Sequence, residues 1–184
     1  LDSKLIIRVD DVSKNTDFVD LNKACQILHE KLGAEIWYCI NIFSKKAKGT
    51  VYPDLPMKGR GLKYFVDIDN AESGEFSIPS FVKIVSHGLI HAEHALLQEE
   101  AQLMSIMLSC KYLETDVFVP PFISFNETTE KICKENNIKL IDGIGWKSME
   151  LYPYEPEIKN WYFHHWRMNS KQVEDWLNVC KVNV

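Results

Sequence analysis

With 184 residues, 46% of them hydrophobic, the chain is long enough to bury one good core, and a single globular domain over residues 1–184 is expected. A formal net charge of −5 and a count of only three arginines (Arg8, Arg60, Arg167) argue against a surface that tracks nucleic-acid phosphates. The apolar stretches are far below the roughly 18 residues that suggest a membrane span, no basic–apolar–cleavage pattern opens the chain, and the start at Leu1 rather than Met leaves room for an upstream segment. The five cysteines (Cys25, Cys39, Cys110, Cys133, Cys180) are odd in number, widely spaced and mostly set among apolar neighbours. They read as buried free thiols in a reducing compartment, with a cytoplasmic location as the expectation.

In chain order, the branched apolar run KLIIRVD predicts a buried strand over residues 4–10 that ends in two adjacent aspartates. TDFVDLNKACQILHEKLG follows, with Phe18, Leu21, Cys25, Leu28 and Leu32 on one helical face and Gly33 as its stop. AEIWYCINIF predicts a second strand and LKYFVDI a third, separated by a Gly-, Pro- and Lys-rich loop of the length often used as a lid or substrate rim. SFVKIVSH predicts another strand, and HAEHALLQEEAQLMSIMLSCKYLE one long amphipathic helix. TDVFVP, ETTEKICKENN and IKLID then read as strand, helix and strand, and WYFHHW and KQVEDWLNVC as a last strand and helix. Such alternation predicts an α/β fold with a mainly parallel sheet, either open or closed into a barrel.

Parallel α/β sheets place their ligand sites beyond the carboxyl ends of the strands. The unusual polar residues fall there: Asp10 and Asp11, His87, Asp142, and the His164–His165 pair. Charge at the end of an apolar strand costs several kcal/mol unless a metal or hydrogen-bond partner offsets it. His87 and His91 are four apart at an expected strand-to-helix transition, where one helical turn puts both imidazoles on one side. Asp11 supplies a third, hard ligand, and an open fourth position for water is the pattern of a catalytic rather than a structural zinc site. Asp10 is then free to take a proton from that water. The aspartates also fit a helix cap and turn, and the histidines a solvated helix start. His94, further along, is expected to be a surface residue or one behind the ligands, and His29 to be packed or exposed on the first helix.

At this point the chain resembles a known group. VDDV, SHGLIH, FVPPF and FHHW follow the order of the blocks of the NodB-homology polysaccharide deacetylases, the carbohydrate esterase family 4 (CE4) type. They look most like its divergent branch, in which FVPPF followed by Asn replaces an Arg-x-Pro-Tyr block. The resemblance implies a distorted or incomplete (β/α) barrel of mainly parallel strands. It also implies a metal-dependent hydrolase that removes an acetyl group, most readily N-acetyl, from a sugar or surface polysaccharide.

By position, the resemblance makes Asp10 the general base and Asp11, His87 and His91 the metal ligands. Phe122 takes the place whose backbone N–H helps form the oxyanion hole, a role that needs no particular side chain. His164 matches the late histidine that acts as general acid, with His165 as competitor; on a strand the two face opposite ways, and His164 shares a face with Trp166. Asn126, Asp142, Trp146 and Trp166 are candidates for contacting substrate, although Asn126 is equally a helix cap, Asp142 an ordinary turn residue and Trp146 a core residue. The family arginine that orients the base has no counterpart in FVPP, where Val119 stands; Arg8 and Arg167 are the candidates to substitute. One divalent ion is implied, with zinc favoured by the His2Asp set and cobalt, nickel and manganese also open. Two other readings stand beside this one: a catalytically silent carbohydrate-binding or assembly protein on the same scaffold, and an amidohydrolase acting on a non-polysaccharide amide.

Overall fold

The computed structural model describes residues 4–13, 16–42 and 78–179. The third expected strand, LKYFVDI, the long loop before it and Cys180 lie outside these residues. The described residues fall into two compact units, one within Leu1–Ile40, Ser77–Val85 and Gly143–Val184, the other within Asn41–Phe76 and Ser86–Asp142.

Within the first unit, β1 (Ile6–Val12) pairs in parallel with β2 (Glu35–Ile40) on one side and with β7 (Asn160–His164) on the other. A strand with neighbours on both sides and helices over its faces reads as a continuous apolar run, and Ile7, Val9 and Val12 are fully buried. Its register to β2 slips between Val9 and Val12, where Asp11 adopts a left-handed φ of 64°. This bulge-like irregularity breaks the ordinary alternation of side chains just where the two aspartates stand. Helix α1 (Phe18–Leu32) follows the predicted bounds: the Asp17 side chain accepts from the N–H groups of Val19 and Asp20, and Gly33 ends it at φ 63°. Leu21, Ala24, Cys25 and Leu28 form its buried face. Helix α4 (Ser170–Val179) is tied to α1 where Ser170 donates through N–H and Oγ to Asp20, at 3.0 and 2.6 Å. Trp161, Trp176 and Tyr154 meet edge to face or tilted beneath it.

The second unit carries β4 (Val117–Phe118), paired in parallel with β5 (Lys139–Leu140) and, through Phe118, with Ser86 at the end of β3 (Val82–Ser86). Helices α2 (Glu99–Tyr112) and α3 (Glu127–Glu135) contribute Ile106, Cys110, Ile132 and Cys133 to a core around Phe118. The four cysteines among the described residues are buried and free. Burial pushes the thiols of Cys25 and Cys133 up to about 12 and that of Cys110 to about 11.

With β6 (Trp146–Ser148) at one edge, hydrogen bonding orders the seven strands β5-β4-β3-β2-β1-β7-β6, and every described register is parallel. The expected incomplete (β/α) barrel is therefore the fold. β6 (Trp146–Ser148) was not predicted, because a three-residue strand has no periodicity to read.

The long helix expected from His91 onward does not form. His94–Leu96 is one 3-10 turn, Leu97 and Gln98 are extended, and α2 begins only at Glu99. Its buried face is polar, carrying Gln102, Ser105 and Ser109 beside Ile106, while Leu103 and Met104 are partly exposed. Those hydroxyls and the amide are held inward by the backbone and side chains they bond, which reverses the amphipathic reading.

Candidate active site

β1 delivers Arg8 and Asp10, both buried, as an ion pair two residues apart. Arg8 Nη2 donates to Asp10 Oδ2 at 2.9 Å, and Nε lies 2.7 Å from Oδ1. One charge-assisted hydrogen bond and this close ion contact hold the carboxylate against the guanidinium. The guanidinium carbon lies 4.6 Å from the Trp146 ring centre and 5.2 Å from that of Tyr162, so two aromatic faces hold it. Burial works against the Arg8 charge, but the neighbouring Asp10 carboxylate overrides it and holds the guanidinium above its ordinary range. Arg8 thus contacts the candidate base that the FVPP block leaves without an arginine.

The parallel register places His164 of β7 beside Asp10. His164 Nδ1 donates to Glu150 Oε1 at 2.7 Å, and the His164 backbone N–H donates to the same oxygen at 2.7 Å. That bond orients the ring and leaves Nε2 as the outward nitrogen. Arg167, the other candidate arginine, donates to Glu150 Oε2 at 3.3 Å and so serves the histidine rather than the aspartate. Glu150 was missed in the sequence. The signal is the register of β6 on β7, which pairs Ser148 with Tyr162 and so brings the position two residues on level with His164.

β7 ends at His164, so His165 is not on the strand as expected but in the turn after it. It lines a surface depression with Asp17, Asp20 and Lys171. Trp166 also sits in this turn, 56% exposed, with its ring 5.2 Å from that of His164 and its Nε1 donating to Asp11 Oδ2 at 3.3 Å.

His87 and His91 meet without the helical turn predicted for them. They occupy a loop after β3, with ring centres 5.4 Å apart. His87 is buried, and its Nδ1 donates to the Val119 carbonyl at 2.7 Å, while the Val119 N–H donates to Ser86 O at 2.8 Å. The residue that stands where the family has arginine thus acts through its backbone. The Asn41 amide holds the His87 carbonyl at 2.5 Å.

Beneath the loop, Ser105 Oγ accepts from Leu89 N–H at 3.2 Å and donates to His94 Nε2 at 3.0 Å, while His94 Nδ1 donates to Ala92 O at 3.0 Å. Gly88, at φ 86°, is required there, since a Cβ would lie 3.0 Å from His94 Cε1. His94 is therefore fully buried behind the loop of His87 and His91, the second of the two places expected for it, and not at the surface. Burial, opposed by the Ala92 carbonyl and reinforced by His87 and His91, pushes its pKa down to about 4. His29 is partly buried, its Nδ1 donating to Ala34 O at 2.8 Å and its ring stacked on Phe81.

The Phe122 ring meets that of His91 edge-on at 4.3 Å. Phe122 and Ile123 hold left-handed φ values of 58° and 54° in the turn that follows Pro120 and Pro121. The two prolines have no N–H to offer, so Phe122 provides the first one in that turn.

The candidate substrate contacts behave differently. Asn126 is the N-cap of α3 in a capping box with Thr129, and its amide donates to Ala95 O at 3.0 Å, so the cap reading accounts for its side chain. Trp146 packs on Arg8. Asp142 is exposed, just before a turn in which Trp146 N–H donates to Gly143 O at 3.2 Å.

Asp11 in the first unit and His87 and His91 in the second are the candidate metal ligands. Two imidazoles and a carboxylate are the donor set of a catalytic zinc site, with ligand bonds of about 2.0–2.2 Å. His87 carries the accompanying signature, its other ring nitrogen bound to a backbone carbonyl. The group fits a divalent ion.

No family model matches the chain, and no curated protein does. Solved structures do. A CE4 family pseudoenzyme from Bacillus anthracis matches with a TM-score of 0.56 at 12% identity, over 98% of this chain and 61% of its own. The peptidoglycan deacetylase PdaC from Bacillus subtilis matches at 0.55 and 10%, over 97% and 83%. A family 4 carbohydrate esterase from Streptomyces lividans, in complex with acetate, matches at 0.55 and 11%, over 97% and 89%. The chain spans less than two thirds of the length of the pseudoenzyme. The fold is that of the CE4 polysaccharide deacetylases.

Arg8→Met is expected to cost about 3–5 kcal/mol in urea unfolding, because Asp10 is left buried without its counter-charge, while Arg8→Met with Asp10→Asn recovers most of that loss. His94 binds a proton more readily in the unfolded chain, so its contribution is present above pH 6.5 and is lost as pH falls toward 4. In metal-free protein, the stability difference between wild type and His94→Gln should shrink by about 2 kcal/mol between pH 7.5 and pH 5, and a difference independent of pH would contradict this assignment.

Proposed function

We propose that the protein is a metal-dependent hydrolase that removes an acetyl group, most readily N-acetyl, from a sugar or surface polysaccharide. The observation that carries this reading is the buried Asp10, held by Arg8 and level with His164, whose ring Glu150 orients; Asp11, His87 and His91 would hold the metal. A divalent ion bound there, zinc by its donor set, would supply Lewis acidity toward the acetyl oxygen and toward water.

The remaining work falls to the chain. Asp10, held by Arg8, takes the proton from the attacking water. The Phe122 N–H donates to the oxyanion, in a turn whose left-handed backbone is kept despite a cost of about 1–2 kcal/mol. His164, oriented by Glu150 through Nδ1, gives a proton from Nε2 to the departing nitrogen. Asp142 and Trp166 remain the candidates for meeting the saccharide.

A second reading is supported by the pseudoenzyme among the fold's relatives: a carbohydrate-binding or assembly protein without turnover. The Arg8–Asp10 and Glu150–His164 pairs favour the enzyme, because a binding scaffold has no need of an oriented base and acid. An amidohydrolase acting on a non-polysaccharide amide would use the same groups.

Acetate release from a panel of N- and O-acetylated saccharides and simple acetamides separates these readings. The enzyme reading expects release by wild type and a loss of at least about 10²-fold in Asp10→Asn, with zinc still bound. Release from acetamides alone would favour the amidohydrolase, and wild-type protein inert on the whole panel would favour the binding scaffold.

A further inference from the structure

Trp166 lies in the turn after β7, which is closed by Arg167 N–H on His164 O at 2.9 Å. Its indole meets three functional groups of the same unit. Nε1–H donates to Asp11 Oδ2, the ring faces His164, and the Arg167 guanidinium lies 4.6 Å from the ring centre while reaching Glu150. A side chain kept for sugar stacking would need only its face. This one also aims its single donor at a candidate metal ligand.

Asp11 gives that donor a task. Its backbone is left-handed within a strand, so the ordinary strand geometry does not dictate where its carboxylate points. A carboxylate free to turn presents either oxygen, or both, to an ion. An N–H on Oδ2 fixes the plane of the carboxylate.

Resting on the metal reading above, we propose that Trp166 is a positioning residue for the metal ligand Asp11, acting through its indole N–H. Substrate stacking alone predicts a change in KM with zinc affinity untouched. Positioning predicts a change in zinc affinity with no substrate present.

The test is zinc affinity, measured by competition with a chromogenic chelator, for wild type, Trp166→Phe and Trp166→Ala. Thermal unfolding of the metal-free proteins serves as the control for folding. Phe keeps a ring against His164 and Arg167 but has no donor, whereas Ala removes both. Both variants should bind zinc about tenfold or more weakly, with the metal-free Tm of Trp166→Phe unchanged. Wild-type affinity in Trp166→Phe would overturn the proposal, whether or not Trp166→Ala weakens, because any remaining effect would then belong to packing. Wild-type protein that binds no zinc would overturn the metal reading and this proposal together.

Discussion

A guanidinium and a carboxylate buried side by side on the central strand are the constraint around which the first unit is arranged. Removing two charges from water costs several kcal/mol per ion, so the Arg8–Asp10 pair persists only if its geometry is good and its surroundings are fixed. Nearby strands meet that requirement: β7 brings Tyr162 and β6 brings Trp146 against the guanidinium. β6 is short and would otherwise be a marginal strand, and its tryptophan seals the ion pair. Well-packed apolar residues often serve stability as well as or better than a buried pair. The pair therefore points to a use of the Asp10 carboxylate, not to a need of the core.

The second recurrent feature is left-handed backbone at non-glycine residues. Among the described residues Asp11, Glu114, Phe122, Ile123 and Asn137 adopt it, and two of the five are candidate functional residues. Such conformations cost about 1–3 kcal/mol each and persist where the surroundings over-determine them. At Asp11 the irregularity of β1 does this, and at Phe122 the preceding prolines do. Under the loop of His87 and His91, the buried Ser105–His94 network plays the corresponding part, fixing backbone groups that no regular element satisfies.

Much of this was legible in the sequence. The alternation of apolar runs and amphipathic stretches predicted the order of strands and helices, and the end of α1 was readable because Gly33 is a strong local signal. The meeting of His87 and His91 was readable from their spacing, although the reason given for it was wrong: a loop, not a helical turn, brings them together. What escaped notice depended on contacts between segments. Glu150 follows a three-residue strand with no pattern of its own, and only the β6–β7 register puts it beside His164. The role of Arg8 was open because i, i+2 spacing on a strand permits a pair without requiring one. Whether His94 lay at the surface or behind the ligands was open because its polar partners, Ala92 and Ser105, are ordinary residues whose burial no local pattern reveals.

The central claim is that Asp11, His87 and His91 hold one divalent ion. Elemental analysis of protein purified without added metal, comparing wild type with His91→Ala, tests it most directly. The account predicts near one equivalent of zinc or a related divalent ion per chain in the wild type, sharply reduced in the variant. Wild-type protein that holds no metal, even after zinc is supplied and the excess removed, would contradict it.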